Sequence, residues 1–291
     1  MSNFGAIMGT ITDYSRLVRF SHTVFALPFA LIGYAMGVKV AGFDVWVLVK
    51  VVLCMFFARS AAMGFNRWAD RHIDARNPRT ASREIPTGKI SPRSAMIFTV
   101  LCSILFMVTA ATFNYLTLIL SPVAITVVLG YSYTKRFTSL CHFFLGLGLA
   151  ISPSAAYIAV TGTVAWPLIA LSALVFTWSS GFDIIYALPD MGIDRRDGLH
   201  SIPERLGIKD ALTVSATVHA ATFLLTLAFG YITSEGWIYW AGAALFTVLL
   251  AYQHVIVKPG DLSRVNLAFA TTNGIASIVF ALFAIISILL A

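Results

Sequence analysis

The chain has 291 residues, of which 58% are hydrophobic and only 11% charged, and its mean hydropathy is +0.84. A water-soluble domain of this length needs far more charge to cover its surface, so the composition excludes one and implies a multi-pass membrane protein. The net charge of +7 does not indicate nucleic acid as a partner, because the basic residues occupy short loops between apolar runs.

About 20 apolar residues are needed to cross a bilayer. Nine runs qualify, at 20–38, 45–65, 94–112, 114–132, 142–160, 164–186, 211–232, 237–257 and 265–290. The mixed residues before the first run show no cleavable signal pattern. Connectors after runs one, three, five and seven are short. Those after runs two, four, six and eight carry the charge: seven Lys/Arg in 66–93, two in "TKRFTSL", four in 183–210 and two in "KPGDLSR". The positive-inside rule places these loops and the N-terminus in the cytoplasm. The expectation is one all-α domain over 1–291, multi-pass in the inner (cytoplasmic) membrane, with nine transmembrane helices around a central chamber. Cys54, Cys102 and Cys141 are isolated and support neither disulfides nor a cysteine zinc site.

Run two ends in "NRWADRHID" and run six, four helices later, in "DIIYALPDMGID". Such a weak repeat often brackets a site at the interface of its halves. At about 100° per residue, Asn66, Asp70 and Asp74 share one helical stripe, and Arg59 joins it. Asp183, Tyr186, Asp190 and Asp194 share another, with Pro189 and Gly192 loosening that helix before its end. Two carboxylates one turn apart, roughly 6 Å, repel by on the order of 3 kcal/mol at an effective dielectric near 20. A divalent cation between the two edges removes that cost, and hard oxygen ligands without His or Cys favour Mg²⁺.

Arg71, Arg76, Arg79, Arg83, Lys89, Lys135, Arg136, Arg195 and Arg196 surround these acids. Acids ringed by bases indicate a metal bound to a polyanion, and diphosphate fits. Arg67, Arg93 and Lys209 read instead as membrane-orienting surface charge. An arginine inside an apolar span costs about 2.5–3.5 kcal/mol, so Arg59 requires a partner, for which an acceptor carboxylate is suited. His72 and His200 are loop residues within reach of phosphate, whereas His22, His142, His219 and His254 read as packing or interface residues.

Together these segments resemble the UbiA superfamily of intramembrane aromatic prenyltransferases. Asn66, Asp70 and Asp74 match its N-x-x-x-D-x-x-x-D motif. "RTASREIPTGKIS" is similar to its first loop, "YSYTKRFT" to its Y-x-x-x-K-R segment, and Asp183, Tyr186, Asp190 and Asp194 to its second acidic motif. The proline of the first loop is displaced, "REIP" standing where the family has "RP". "FSHTVFALPFAL" and "AMGFNRWADRHIDARNPRT" look closest to the bacterial 4-hydroxybenzoate polyprenyltransferase-like branch, which includes members associated with the futalosine route to menaquinone.

The resemblance implies that Asn66, Asp70, Asp190 and Asp194, with Asp74 near, hold Mg²⁺ on the diphosphate of a polyprenyl donor. Arg71, Arg79, Arg83, Lys135 and Arg136 then draw charge onto the leaving group, and Arg59 receives the carboxylate of an aromatic acid acceptor. Asp183 accepts the ring proton, orients Tyr186 or holds an outer ligand, and Tyr131 faces the allylic cation. The acceptor stays open between 4-hydroxybenzoate and 1,4-dihydroxy-6-naphthoate, with 1,4-dihydroxy-2-naphthoate or haem as further alternatives. A transporter would instead place its acids near the bilayer midplane, reachable from both sides.

Overall fold

The computed structural model describes residues 12–18 and 25–291. Among the described residues the ordered elements are helical, apart from one isolated bridge between Lys258 and Asp261. From Leu27 on, the helices in chain order are α1 (Leu27–Ala41), α2 (Val45–Ala69), α3 (Arg71–Arg76), α4 (Pro92–Ala111), α5 (Tyr115–Thr134) and α6 (Cys141–Thr161). They continue with α7 (Pro167–Ala187), α8 (Met191–Asp197), α9 (Ile202–Leu206), α10 (Ile208–Ile232), α11 (Trp237–Ile256) and α12 (Asn273–Leu290). A 3₁₀ turn, Leu188–Asp190, links α7 to α8, and a π-helical segment, Leu267–Thr272, leads into α12.

Among the described residues, eight helical segments are long and apolar enough to cross a membrane. The first expected run differs: α1 has 15 residues, and positions 20–24 of that run lie outside the described residues. Helix α1 continues to Ala41 because the stop is Gly42, whose φ of 87° a side chain would resist. Apolar side chains such as Trp46, Ile169 and Leu224 stand 63–72% exposed on the outer faces, an arrangement suited to lipid.

At the two prolines inside these helices, a backbone carbonyl left without its N–H is satisfied locally, as an apolar medium requires. Pro122 in α5 and Pro153 in α6 each lack the N–H that would bond the carbonyl four residues back. In both places the preceding serine answers. Ser121 Oγ donates to Leu118 O at 2.9 Å, and Ser152 Oγ donates to Leu149 O at 2.8 Å. Some helix starts are capped by side chains: Asp44 accepts from Trp46 N–H, Ser91 from Ser94 N–H and Asn114 from Thr117 N–H.

Helix α7 is central. Two thirds of its apolar window is buried (67%), against 22% for α2 and α4. It packs mainly on α6 and α10. Its Trp178, fully buried among Phe25, Phe29, Phe182 and Phe246, donates its indole N–H to Asn273 Oδ1 at 3.2 Å. Asn273 also exchanges hydrogen bonds with Gln253 and donates to Ala268 O, so the start of α12 is polar, buried and fully partnered through this cluster.

Helices α1 and α6 approach so closely that a Cβ built on Gly33 would lie 2.0 Å from the Pro153 carbonyl oxygen. Gly33→Ala should therefore force the helices apart, costing about 1–3 kcal/mol and lowering the unfolding midpoint in detergent. Gly148→Ala, whose nearest neighbour would be 3.9 Å away, should leave the midpoint unchanged or raise it by up to about 1 kcal/mol of helix propensity. Equal midpoints for the two variants would show that this close approach is not a constraint.

Candidate active site

Two helix breaks build the site, and they have the same design. Helix α2 runs past Asn66 to Ala69, then bends at Asp70 (φ −92°, ψ 6°), which also caps α3. After α7, Pro189 forces the 3₁₀ turn, and Asp190 (φ −88°, ψ −6°) caps α8. Each short helix carries its second acid in the first turn, Asp74 at 4% exposure and Asp194 at 1%. The backbone thus keeps each acidic stripe aligned across a joint rather than along a continuous helix.

Each of these four carboxylates has one basic partner. Arg136 Nη2 lies 3.0 Å from Asp70 Oδ1, Arg83 Nη1 2.6 Å from Asp74 Oδ1, and Lys135 Nζ 2.6 Å from Asp194 Oδ1. Arg79 pairs with Asp190 through two nitrogens and donates to the Tyr186 hydroxyl at 3.0 Å. In every pair the acid is more buried than the base, most of all for Asp194 (2% against 33% for Lys135). Neighbouring Lys135 and Arg136 reach opposite acidic edges, one to Asp194 and the other to Asp70. Burial pushes the Asp70 carboxyl up to about 6, with Arg136 working against the shift. Burial also works against the charge on Lys135, but Asp194 more than offsets it and holds the ammonium above its ordinary value.

Both edges open into one cavity of about 250 Å³. Arg59, Asn66, Asp70, Asp74, Arg79, Arg83, Tyr131, Lys135, Arg136, Asp183, Tyr186, Asp190 and Asp194 all line it. Arg71 does not. It donates to Trp68 O at 2.7 Å and lies over the Trp68 ring, 4.8 Å from its centroid, so its charge is turned back along α2. Neither His72 nor His200 lines the cavity. Arg67 departs from its reading as a surface charge: it is 4% exposed and lines the cavity, because α2 is still a packed helix at that point.

Two contributors, Asn77 and Phe269, were not singled out from the sequence, and a third, His142, was read as a packing or interface residue. Asn77 accepts from Arg79 N–H at 2.9 Å and donates to Asp190 Oδ1 at 3.3 Å, locking the first loop onto the second acidic edge. The Asn-Pro turn "RNPRT" was the available signal. His142 Nδ1 lies 2.7 Å from Asp183 Oδ2. Phe269, from the π-helical segment, stacks on Tyr186 at 3.9 Å between centroids and joins Phe25 and Phe182 in the apolar wall. Arg59 sits deeper along α2, with its Nε buried and lacking a hydrogen-bond partner among the described residues.

Two acidic helix joints and a basic rim thus share one cavity in a helical fold of membrane-length apolar segments. The UbiA prenyltransferase family model matches residues 26–289. A 4-hydroxybenzoate octaprenyltransferase from Aeromonas salmonicida (strain A449) is 33% identical over 244 residues, 81% of this chain and 82% of that protein. A protein of the same name from Nitrosospira multiformis is 30% identical, with 81% of each chain covered. An apo UbiA homologue from Aeropyrum pernix K1 superposes with a TM-score of 0.83 at 31% identity, covering 91% of this chain and 97% of that one. A UbiA homologue from Archaeoglobus fulgidus bound to DMAPP and Mg²⁺ shares the fold, with a TM-score of 0.74 at 22% identity over 96% and 99% of the chains. The chain belongs to the UbiA prenyltransferase family.

The two arginines differ in what they should do to diphosphate binding in the presence of Mg²⁺, measured by titration calorimetry. Arg79→Ala should weaken it at least about tenfold, ~1.4 kcal/mol, and Arg71→Ala by no more than about threefold. Equal losses would mean that Arg71 turns into the cavity when the anion arrives.

Proposed function

We propose that the chain transfers a polyprenyl group from polyprenyl diphosphate to a ring carbon of a hydroxylated aromatic acid, with Mg²⁺ as cofactor. The observation that carries this reading is the straddle of Lys135 and Arg136, which ties both acidic edges to one basic rim above one cavity. The names of the curated relatives support 4-hydroxybenzoate as acceptor, and 1,4-dihydroxy-6-naphthoate is the other acceptor that the sequence resemblance leaves open. The reading includes a single domain over 1–291, nine spans around the chamber, and an inner-membrane location with N-terminus and charged loops in the cytoplasm.

The donor set fits Mg²⁺. No three His, Cys, Asp or Glu groups converge into a metal cage among the described residues, yet this cation typically takes one or two carboxylates and completes its shell with water and phosphate. Asp74 Oδ2 is buried with no hydrogen-bond partner among the described residues, which leaves an oxygen available to such a ligand. Asn66, Asp70, Asp190 and Asp194, with Asp74 alongside, are the residues that would hold it. When bound, the cation supplies charge neutralisation on the departing diphosphate. The Archaeoglobus neighbours bound to DMAPP or GPP together with Mg²⁺ support the same pairing of metal and prenyl diphosphate.

The chain's own residues do the rest. Arg79, Arg83, Lys135 and Arg136 pass from carboxylate to phosphate oxygens as the donor enters and favour ionisation of its allylic C–O bond. Phe25, Phe182, Phe269, Leu145 and Leu149 keep water from the allylic cation, and the ring faces of Tyr131 and Tyr186 stabilise it. Arg59 holds the acceptor's carboxylate, placing the ring carbon ortho to its phenol against the cation. Asp183 takes the ring proton as aromaticity returns.

The test is mass spectrometry of products from purified protein, Mg²⁺, one polyprenyl diphosphate, and a panel of 4-hydroxybenzoate, 1,4-dihydroxy-6-naphthoate and 1,4-dihydroxy-2-naphthoate. One acceptor should gain the prenyl mass. Asp70→Asn, Asp190→Asn or EDTA should abolish the product, and Arg59→Ala should raise the acceptor's KM at least about tenfold, ~1.4 kcal/mol, with the donor's KM little changed. Turnover in EDTA, or no product from any acceptor, would overturn the reading.

A further inference from the structure

The cavity holds an acid that the charge pairing does not account for. Asp183 stands one turn above Tyr186 on α7 and has no Lys or Arg partner among the described residues; its one hydrogen bond is to His142, at the start of α6. His142 is 2% exposed, and its other ring nitrogen faces a backbone donor: Ile202 N–H points at Nε2 over 3.3 Å. An N–H donor requires a lone pair on Nε2, so the ring proton resides on Nδ1 and is given to Asp183 Oδ2 at 2.7 Å. The tautomer is set by the fold.

The segment that fixes it also serves the second acidic edge. His200 N–H donates to Lys135 O at 2.7 Å, Ser201 Oγ donates to Asp194 Oδ2 at 2.9 Å, and Ile202 N–H follows immediately. Three consecutive residues therefore hold the Lys135 backbone, Asp194 and His142. The imidazole in turn holds one oxygen of Asp183, and the other, Oδ1, has no hydrogen-bond partner among the described residues.

We propose that His142 is a positioning residue that holds Asp183 ionised, with Oδ1 ready to accept the proton lost from the acceptor ring. This rests on the prenyl-transfer reading above. In the step, the allylic C–O bond has broken and the diphosphate carries away its electron pair; the ring carbon forms the new C–C bond. The C–H electrons at that carbon then return to the ring, and the proton passes to Asp183 Oδ1 and later to water. Nothing is oxidised or reduced. His142 donates from Nδ1 throughout.

The distinguishing measurement is the kinetic isotope effect on kcat with an acceptor deuterated at the reacting ring carbon. In the unaltered enzyme, where ionisation precedes the ring step, the effect should be close to unity. His142→Phe removes both hydrogen bonds. It should lower kcat about tenfold or more, leave the KM of the donor nearly unchanged, and reveal a normal isotope effect because proton loss has become slow. His142→Asn keeps an N–H toward Asp183 and should recover much of kcat with the isotope effect reduced again. Asp183→Asn should show the same isotope effect as His142→Phe, which keeps the test decisive even if His142→Phe fails to fold. A fall in kcat with no isotope effect in any of these variants would make the contact purely structural and overturn the proposal. Absence of product from the unaltered enzyme would fail the prenyl-transfer reading instead.

Discussion

Charge neutrality at the membrane edge is the constraint on which this structure depends. Five carboxylates line one cavity, and removing one partner of a buried ion pair typically costs about 3–5 kcal/mol. The chain meets that cost by assigning four of these acids a Lys or Arg each, Asp70 to Arg136, Asp74 to Arg83, Asp190 to Arg79 and Asp194 to Lys135, while Asp183 bonds to His142. The bases lie on the more exposed side of each pair, so an arriving polyanion meets cations first. In the proposed cycle the acids turn to a metal and the bases to phosphate, and the net charge around each group changes little. A site arranged in this way is stable when empty and receptive when its ligand arrives.

Backbone irregularity is what lets rigid helices present that arrangement. A continuous α2 would carry Asp74 onward along its own axis. The bend at Asp70 instead turns α3 so that Asp74 is buried beneath Arg83. Pro189 produces the matching joint after α7, with nearly the same dihedral angles at Asp190. The third irregularity, the π-helical segment before α12, delivers Phe269 against Tyr186 and closes the apolar side of the cavity. Its cost in regular hydrogen bonding is offset by the buried Asn273–Gln253–Trp178 cluster.

Local features of the sequence were legible, and long-range ones were not. The four-residue spacing of Asn66, Asp70 and Asp74 located one wall of the cavity, because a helical stripe survives even a bent joint. Pro189 announced the second break. Arg59 was readable because a charge inside an apolar run stands out against its neighbours. Arg67 was misread because it lies off the acidic stripe, on a face of α2 whose burial against neighbouring residues spacing alone does not reveal. Arg71 belonged to the right loop but turns back onto Trp68, an aromatic contact that spacing does not predict. His142 shares a helical stripe with Leu145 and Leu149, both cavity residues. Nothing within that run says which way the stripe faces; only its meeting with Asp183, 41 positions away, gives it a role.

The central claim is that acids and bases satisfy each other until diphosphate and metal arrive together. Titration calorimetry of the purified protein with Mg²⁺, alone and then with saturating inorganic diphosphate, tests it most directly. The account predicts weak Mg²⁺ binding to the protein alone and at least about tenfold tighter binding, ~1.4 kcal/mol, once diphosphate is present. Tight Mg²⁺ binding that diphosphate leaves unchanged would contradict it.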